Sequence, residues 1–272
     1  MHNAAFAALG LNWRYLAFAV DPQNLRAAIE GARAMNFAGL NLTVPHKLLA
    51  VDLVDTLDET AQRWGAVNTI KFEVQSPKSK VQSSAPGEVR AIGFNTDADG
   101  LANSLREDLK MTLRGAKVLL LGAGGAGRTA ALKLAAENVA ELFLVNRTRS
   151  KAEEIAAEIK KQFPSVAVAV GFPKVAVDLI LNATSLGLHA DDVSPLEEKD
   201  FSLKQARAVY DMIYRPAETK LLAAARAAGC QTANGLGMLL HQGAQAFEIW
   251  TGQTAPRDVM RRALEQNVYG QA

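Results

Sequence analysis

Cysteine is nearly missing from this 272-residue chain: the one thiol, Cys230, excludes an internal disulfide and fits a reducing compartment, the cytoplasm. Aromatic residues make up 6%, and only four histidines occur, His2, His46, His189 and His241. None of them stands at metal-ligand spacing from another histidine or from Cys230, so no metal is expected. An excess of charge of one sign is also lacking. The formal net charge is +2, which gives no electrostatic case for nucleic acid or an anionic membrane surface. No apolar run approaches a transmembrane length, and MHNAAFAALG has no basic region followed by a cleavage site. Ser185 has no G-x-S-x-G context, so nucleophilic hydrolysis has no support.

What is present is ample core material, 49% hydrophobic residues, with 21% charged. The organising stretch is Lys117 to Arg128, KVLLLGAGGAGR. Val118 to Leu121 read as a strand buried on both faces of a parallel sheet. Gly122, Gly124 and Gly127 follow at G-x-G-x-x-G spacing, and Thr129 to Ala136 read as helix. Glycines alone specify only a tight turn. Between a strand and a helix they specify a dinucleotide site, where the backbone approaches a pyrophosphate and the helix N-terminus offers unpaired N–H groups.

Strand and helix patterns alternate on both sides of this stretch. Before it, helix is expected over 3–11, strand over 13–20 (WRYLAFAV), helix from Asp21-Pro22 to about Asn36, and strand over 38–44. Pro45 then opens a helix, another covers 56–63, and strands cover 67–74 and 90–94. The polar stretch 75–88 reads as a long surface loop, and a helix from Asp97 to about Met111 bridges to the glycine strand. Beyond the glycines, strands are expected over 141–145, 166–170, 178–182, 208–210 and 231–233. Helices fall over 150–163 and 216–228, then after Asn234-Gly235 through Trp250, and from Pro256 to about Asn267. The fold class is α/β in two domains: an N-terminal α/β substrate domain, 1–98 completed by closing helices over 238–272, and a doubly wound Rossmann-type domain over 99–237.

The end of the second strand of that domain decides the cofactor. NAD sites place an acidic residue there for the ribose 2′-OH, whereas this chain has Asn146-Arg147-Thr148, followed by Arg149 and Lys151. A guanidinium pairs with a 2′-phosphate that a carboxylate would repel, so the expected cofactor is NADP. Lys47 sits in the first turn of a helix, where a cation opposes the dipole, and Asp97 just before another helix. Alone, Lys47 reads as a solvated lysine and Asp97 as a cap. Taken together at strand ends, they read as a Lys–Asp pair able to hold or relay the proton that a carbonyl oxygen needs as hydride arrives at carbon.

The segments HNAAF, NLTVPHK, GAVNTI, FNTDADG, GAGGAGR, NRT, NATSLG, YDMIY and NGLGMLLHQ occur in this order along the chain. In them the sequence resembles the shikimate dehydrogenase family over nearly its whole length. The resemblance implies NADPH-dependent reduction of 3-dehydroshikimate to shikimate in aromatic amino acid biosynthesis. It implies Lys47 as catalytic acid/base with Asp97 as its partner, and substrate contacts from Thr43, Asn68, Tyr214 and Gln242. It implies that Gly122, Ala123, Gly124, Gly125 and Ala126 cradle the pyrophosphate and that Asn146, Arg147, Thr148 and Lys151 surround the 2′-phosphate. Thr184, Met212 and Gly235 then lie along the nicotinamide. Where Lys151 stands the family often has arginine, so charge is kept and bidentate geometry lost. The family's opening strand and G-x-P-x-x-H-S-x-S-P loop, whose two serines hold the substrate carboxylate, precede HNAAF and are not among these residues; a truncated or misplaced start is expected. The resemblance also leaves two other readings: a quinate/shikimate dehydrogenase of broader range, often NAD-dependent, which Arg147 disfavours, and a non-catalytic dinucleotide-binding regulator, which the retained Lys47 and Asp97 disfavour. The expected partner is a small-molecule substrate, with no nucleic acid or membrane, in a monomer or homodimer.

Overall fold

The computed structural model describes residues 1–74 and 89–270, so the loop expected over 75–88 lies outside the described residues. The chain divides into two compact units, Met1–Asp97 with Gln242–Arg261 and Ala98–His241 with Arg262–Ala272.

In the first unit, α1 (His2–Ala8) and α2 (Leu25–Ala34) precede β1 (Gly39–Asn41), α3 (His46–Leu49), β2 (Thr56–Leu57), α4 (Glu59–Trp64), β3 (Thr69–Val74) and β4 (Val89–Phe94). The strands form one sheet in the order β1-β3-β4-β2. β3 runs antiparallel to both β1 and β4, while β2 is parallel to β4. Leu25, Ile29 and Ala32 recur at helical spacing on α2 and pack with Val67, Ile70, Phe72 and Ala91 from the sheet side. Trp250, from the last part of the chain assigned to this unit, donates its indole N–H to the Ile70 carbonyl at 2.9 Å.

Two expectations fail here. The stretch 13–20 forms no strand. Aromatic and apolar composition favours a strand, but only a ladder partner makes one, and here the Asn3 side chain takes that place. Asn3 Oδ1 accepts from Tyr15 N at 2.7 Å and its Nδ2 donates to Tyr15 O at 3.0 Å, while Leu16 and Phe18 stay 65% and 62% exposed. The helix expected from Thr56 starts instead at Glu59. Thr56 and Leu57 pair with β4, and Asp58 is the N-cap, its Oδ1 accepting from Ala61 N at 2.9 Å.

The second unit is built on a six-stranded parallel sheet of order β10-β9-β8-β5-β6-β7. Its strands are β5 (Lys117–Leu121), β6 (Glu141–Val145), β7 (Ala167–Val170), β8 (Val177–Asn182), β9 (Ala206–Asp211) and β10 (Gln231–Asn234). All six fall where apolar patterning places them. The helices are α5 (Asp97–Asp108), α6 (Gly125–Ala136), α7 (Arg149–Gln162), α8 (Lys220–Ala227), α9 (Leu236–Thr251) and α10 (Arg257–Tyr269). α5, through Asp97, and the last two each have residues in both units. Val118 to Leu121 are buried, as a central parallel strand requires. The strand order reverses between β5 and β8, and a ligand of such a sheet binds beyond the C-terminal strand ends at that point. Among the described residues no helix is long and apolar enough to cross a membrane.

Candidate active site

The register of the first sheet brings the expected catalytic residues together. Asn41, the last residue of β1, faces Thr69, the first of β3, and Thr69 faces Phe94, the last of β4. Because β3 is antiparallel to both neighbours, the chain leaving β1, entering β3 and leaving β4 meets at one edge. Lys47, Asn68 and Asp97 lie on those three segments.

Lys47 Nζ donates to Asp97 Oδ2 at 2.7 Å, with both side chains mostly buried. α3 is a single turn, so Lys47 stands in its last turn as much as in its first, and Asp97 supplies the counter-charge for the ammonium. The other carboxylate oxygen, Asp97 Oδ1, accepts from Asn68 Nδ2 at 2.9 Å. The same amide nitrogen lies 2.9 Å from Thr96 Oγ1 and 3.4 Å from Gln242 Oε1. On its other side Asn68 Oδ1 accepts from Thr96 N at 2.9 Å and from Thr69 Oγ1 at 3.1 Å. Asn68 is only 1% exposed, so its amide is locked in one orientation by its neighbours. Lys47 is tied down a second way, its carbonyl accepting from Val67 N at 2.8 Å. Thr43, two residues beyond β1, is exposed, and its carbonyl accepts from His46 N.

The arrangement presents an ammonium with one N–H held by a carboxylate and the others directed elsewhere. Such a group can hydrogen-bond a substrate oxygen and transfer a proton to it, with Asp97 fixing its position. Among the described residues no group of three or more His, Cys, Asp and Glu could hold a metal ion.

The glycine turn lies at the β5 end in the second unit. Gly122 has φ +108°, a conformation that a side chain rarely adopts, and an added Cβ would lie 2.9 Å from the Ala183 backbone. A Cβ on Gly127 would lie 2.2 Å from the Gly122 carbonyl oxygen. Gly124 and Gly125 meet nothing within 4 Å, so at these two positions the turn opens outward. α6 starts at Gly125, inside the motif rather than at Thr129, and Gly124 at its N-cap offers no side-chain hydrogen bond. The first-turn N–H groups therefore face the opening, which fits a pyrophosphate.

At the end of β6, Asn146 Oδ1 accepts from Ala123 N at 3.0 Å and its Nδ2 donates to Thr148 O at 2.8 Å, joining this turn to the glycine turn. Arg149 pairs with Glu153 at 2.8 Å, whereas Arg147 and Lys151 are exposed and form no ion pair among the described residues. Two unpartnered cations beside a helix N-terminus, with no carboxylate at the strand end, fit a 2′-phosphate. Arg128, the last residue of the motif, is held by Glu158 of α7, with Nε 3.0 Å from Oε2, and belongs to the packing of α6 on α7.

Thr184 follows β8, Met212 follows β9, and Gly235 follows β10, three adjoining strand ends. A Cβ on Gly235 would lie 2.0 Å from Met212 O, so two of these segments are in backbone contact. Tyr214, beyond Met212, belongs to the second unit, unlike the Lys47 cluster, and is 37% exposed. Patterning did not single out Asn182 and Asp211, which end β8 and β9 and are both fully buried. Their signal is a polar residue closing an apolar strand, DLILN and AVYD, where burial demands a polar partner.

Comparison with known proteins adds to this geometry. Residues 1–70 match the family model described as the shikimate dehydrogenase substrate binding domain. Residues 103–187 match shikimate / quinate 5-dehydrogenase, and residues 235–265 the shikimate 5′-dehydrogenase C-terminal domain. A shikimate dehydrogenase (NADP(+)) from Methanopyrus kandleri is 41% identical, over 98% of this chain and 90% of that protein. Among solved structures, shikimate 5-dehydrogenase from Thermus thermophilus in complex with NADP(H) and shikimate is 34% identical with TM-score 0.81, over 97% of this chain and 92% of that one. The ligand-free 5-ketofructose reductase of a Gluconobacter strain is 35% identical with TM-score 0.82, over 97% and 91%.

Proposed function

The chain belongs to the shikimate dehydrogenase family, and from that premise we propose that it reduces 3-dehydroshikimate to shikimate with NADPH. The observation that carries the reading is the 2.7 Å contact of Lys47 Nζ with Asp97 Oδ2 at the sheet edge where β1, β3 and β4 meet.

When bound, NADPH supplies the hydride. The residues of the first unit manage the proton. Lys47 hydrogen-bonds the carbonyl oxygen of the substrate, raises the electrophilicity of its carbon, and gives up one proton as that oxygen becomes a hydroxyl. Asp97 keeps the ammonium in place. In the oxidation direction the neutral amine takes the proton back. Asn68 and Gln242 line the same cluster and hold its geometry; with Thr43, and with Tyr214 of the second unit, they are the proposed contacts for substrate hydroxyls and carboxylate.

In the second unit, the turn over Gly122 to Ala126 receives the pyrophosphate. Arg147 and Lys151, with Asn146 and Thr148, receive the 2′-phosphate, and Thr184, Met212 and Gly235 border the nicotinamide. The free Arg147 and the missing acid at the end of β6 favour NADP over NAD. The reading places the protein in aromatic amino acid biosynthesis, acting in the cytoplasm.

Steady-state oxidation of shikimate and of quinate, each with NADP and with NAD, tests it. Shikimate with NADP should be the preferred pair. Preference for quinate, or for NAD, would move the protein to the broader quinate/shikimate branch, and no turnover with any pair would defeat the enzyme reading.

A further inference from the structure

The proposed mechanism makes no use of Asp211, a carboxylate with no exposed surface at the end of β9. In register with it across the β8–β9 ladder stands Asn182, also fully buried. Asn182 Nδ2 donates to Asp211 Oδ1 at 3.0 Å, Ile213 N donates to the same oxygen at 3.1 Å, and Thr219 Oγ1 donates to Oδ2 at 2.7 Å.

The carboxylate accepts only, so it dictates which way the Asn182 amide turns. With its NH2 facing Asp211, Asn182 Oδ1 faces the chain beyond β8, where it accepts from Thr184 N at 3.0 Å and Thr184 Oγ1 at 2.7 Å. Thr184 Oγ1 in turn accepts from Leu186 N at 3.1 Å. Reversing the amide would set an NH2 against the Thr184 N–H and leave Asp211 facing a carbonyl oxygen. The backbone extends the arrangement. Met212 N donates to Asn182 O at 3.0 Å, and Gly235 N donates to Ile213 O at 3.2 Å. The three segments carrying Thr184, Met212 and Gly235 thus converge on one buried acid.

We infer that Asp211 is the positioning residue of the nicotinamide side, fixing Thr184 through the Asn182 amide and the Met212 segment through Ile213 N–H and Thr219. This rests on the cofactor reading given above. Burial pushes the Asp211 carboxyl up, and its three donors act in the opposite direction. Three donors around a carboxylate fit its role as a fixed acceptor.

The test compares Asp211→Ala and Asp211→Asn with the unaltered protein in three measurements: 2′,5′-ADP binding, NADPH binding and kcat per folded molecule for 3-dehydroshikimate reduction. 2′,5′-ADP carries the adenosine and its 2′-phosphate without nicotinamide. In Asp211→Ala its dissociation constant should stay within twofold, that of NADPH should rise at least fivefold, and kcat should fall at least tenfold. Asp211→Asn should recover kcat to within threefold, because an amide oxygen keeps both N–H bonds and its NH2 can donate to the Thr219 hydroxyl. A purely structural role would lower the folded fraction and leave these per-molecule constants unmoved. That outcome, or equal weakening of 2′,5′-ADP and NADPH, overturns the inference. Should Asp211→Ala not fold, Asn182→Ala reads the same quantities with Asp211 still bound by two donors. If the unaltered protein binds NADPH but does not reduce 3-dehydroshikimate, the functional reading fails, while the contrast between the two nucleotides still tests Asp211.

Discussion

Asp97 holds Lys47 with one carboxylate oxygen, at 2.7 Å, and the Asn68 amide with the other, at 2.9 Å. A carboxylate engaged on both sides cannot swing away from the ammonium. Since Asn68 is itself fixed by Thr96 and Thr69, the position of the Lys47 ammonium is set by the sheet rather than by its own flexible stem.

Asn68→Ala should therefore act at a distance of one bond. It removes the donor to Asp97 Oδ1 and leaves Thr96 N without its acceptor. The expected cost is about 1–3 kcal/mol of stability, with kcat reduced more than NADPH binding. Urea unfolding and steady-state kinetics on the same preparation check both parts. Loss of stability with unchanged kcat per folded molecule would reduce Asn68 to a core residue.

Arg147→Asp should discriminate between cofactors. Losing a charge-assisted contact and adding repulsion should weaken NADPH by about 10- to 100-fold, with little change for NADH. Fluorescence titration of each nucleotide reads this directly, and equal losses for both would remove the 2′-phosphate role from Arg147.

Gly127→Ala should damage the glycine turn by pressing on its backbone at Gly122. The added methyl would lie 2.2 Å from Gly122 O, a backbone atom that cannot step aside alone. About 1–3 kcal/mol of destabilisation is expected, with NADPH binding weakened as well. Gly125→Ala, whose methyl meets nothing within 4 Å, should leave stability within about 0.5 kcal/mol. A thermal melt of the pair decides, and equal effects would contradict the packing described.

His2 predicts a pH dependence of folding. Its ring is buried, stacked on Tyr15 with 4.4 Å between centroids, and burial lowers its pKa from 6.5 to about 4. Above pH 6.5 it is neutral folded or unfolded and contributes no pH dependence. Between 6.5 and 4 the unfolded chain takes up a proton that the folded chain refuses, so stability falls by up to about 3 kcal/mol as pH drops through that window. His2→Phe should remove that share of the slope. Parallel profiles for the two proteins would contradict the assignment.

The parts of this molecule legible in its sequence are those governed by local pattern. Val118 to Leu121 announce a buried parallel strand because nothing polar interrupts them, and the glycines announce the turn because no other residue fits at Gly122 or Gly127. Lys47 and Asp97 were legible as a pair because each follows the end of a strand, and the register of β1, β3 and β4 brings those ends to one edge. The failures concern partners far along the chain. Residues 13–20 carry strand composition, but the Asn3 side chain takes the Tyr15 backbone. Asn182 and Asp211 stand 29 residues apart and meet only because β8 and β9 are neighbours in the sheet.

The central claim is that Lys47, held by Asp97, delivers the proton in NADPH-dependent reduction of 3-dehydroshikimate. Single-turnover reduction followed at the NADPH absorbance, with the unaltered protein and Lys47→Ala, tests it most directly. The unaltered protein should consume one NADPH per 3-dehydroshikimate. Lys47→Ala should bind NADPH equally well and react about 10²- to 10⁴-fold more slowly. Equal rates for the two proteins, or no NADPH consumed by the unaltered one, would contradict the account.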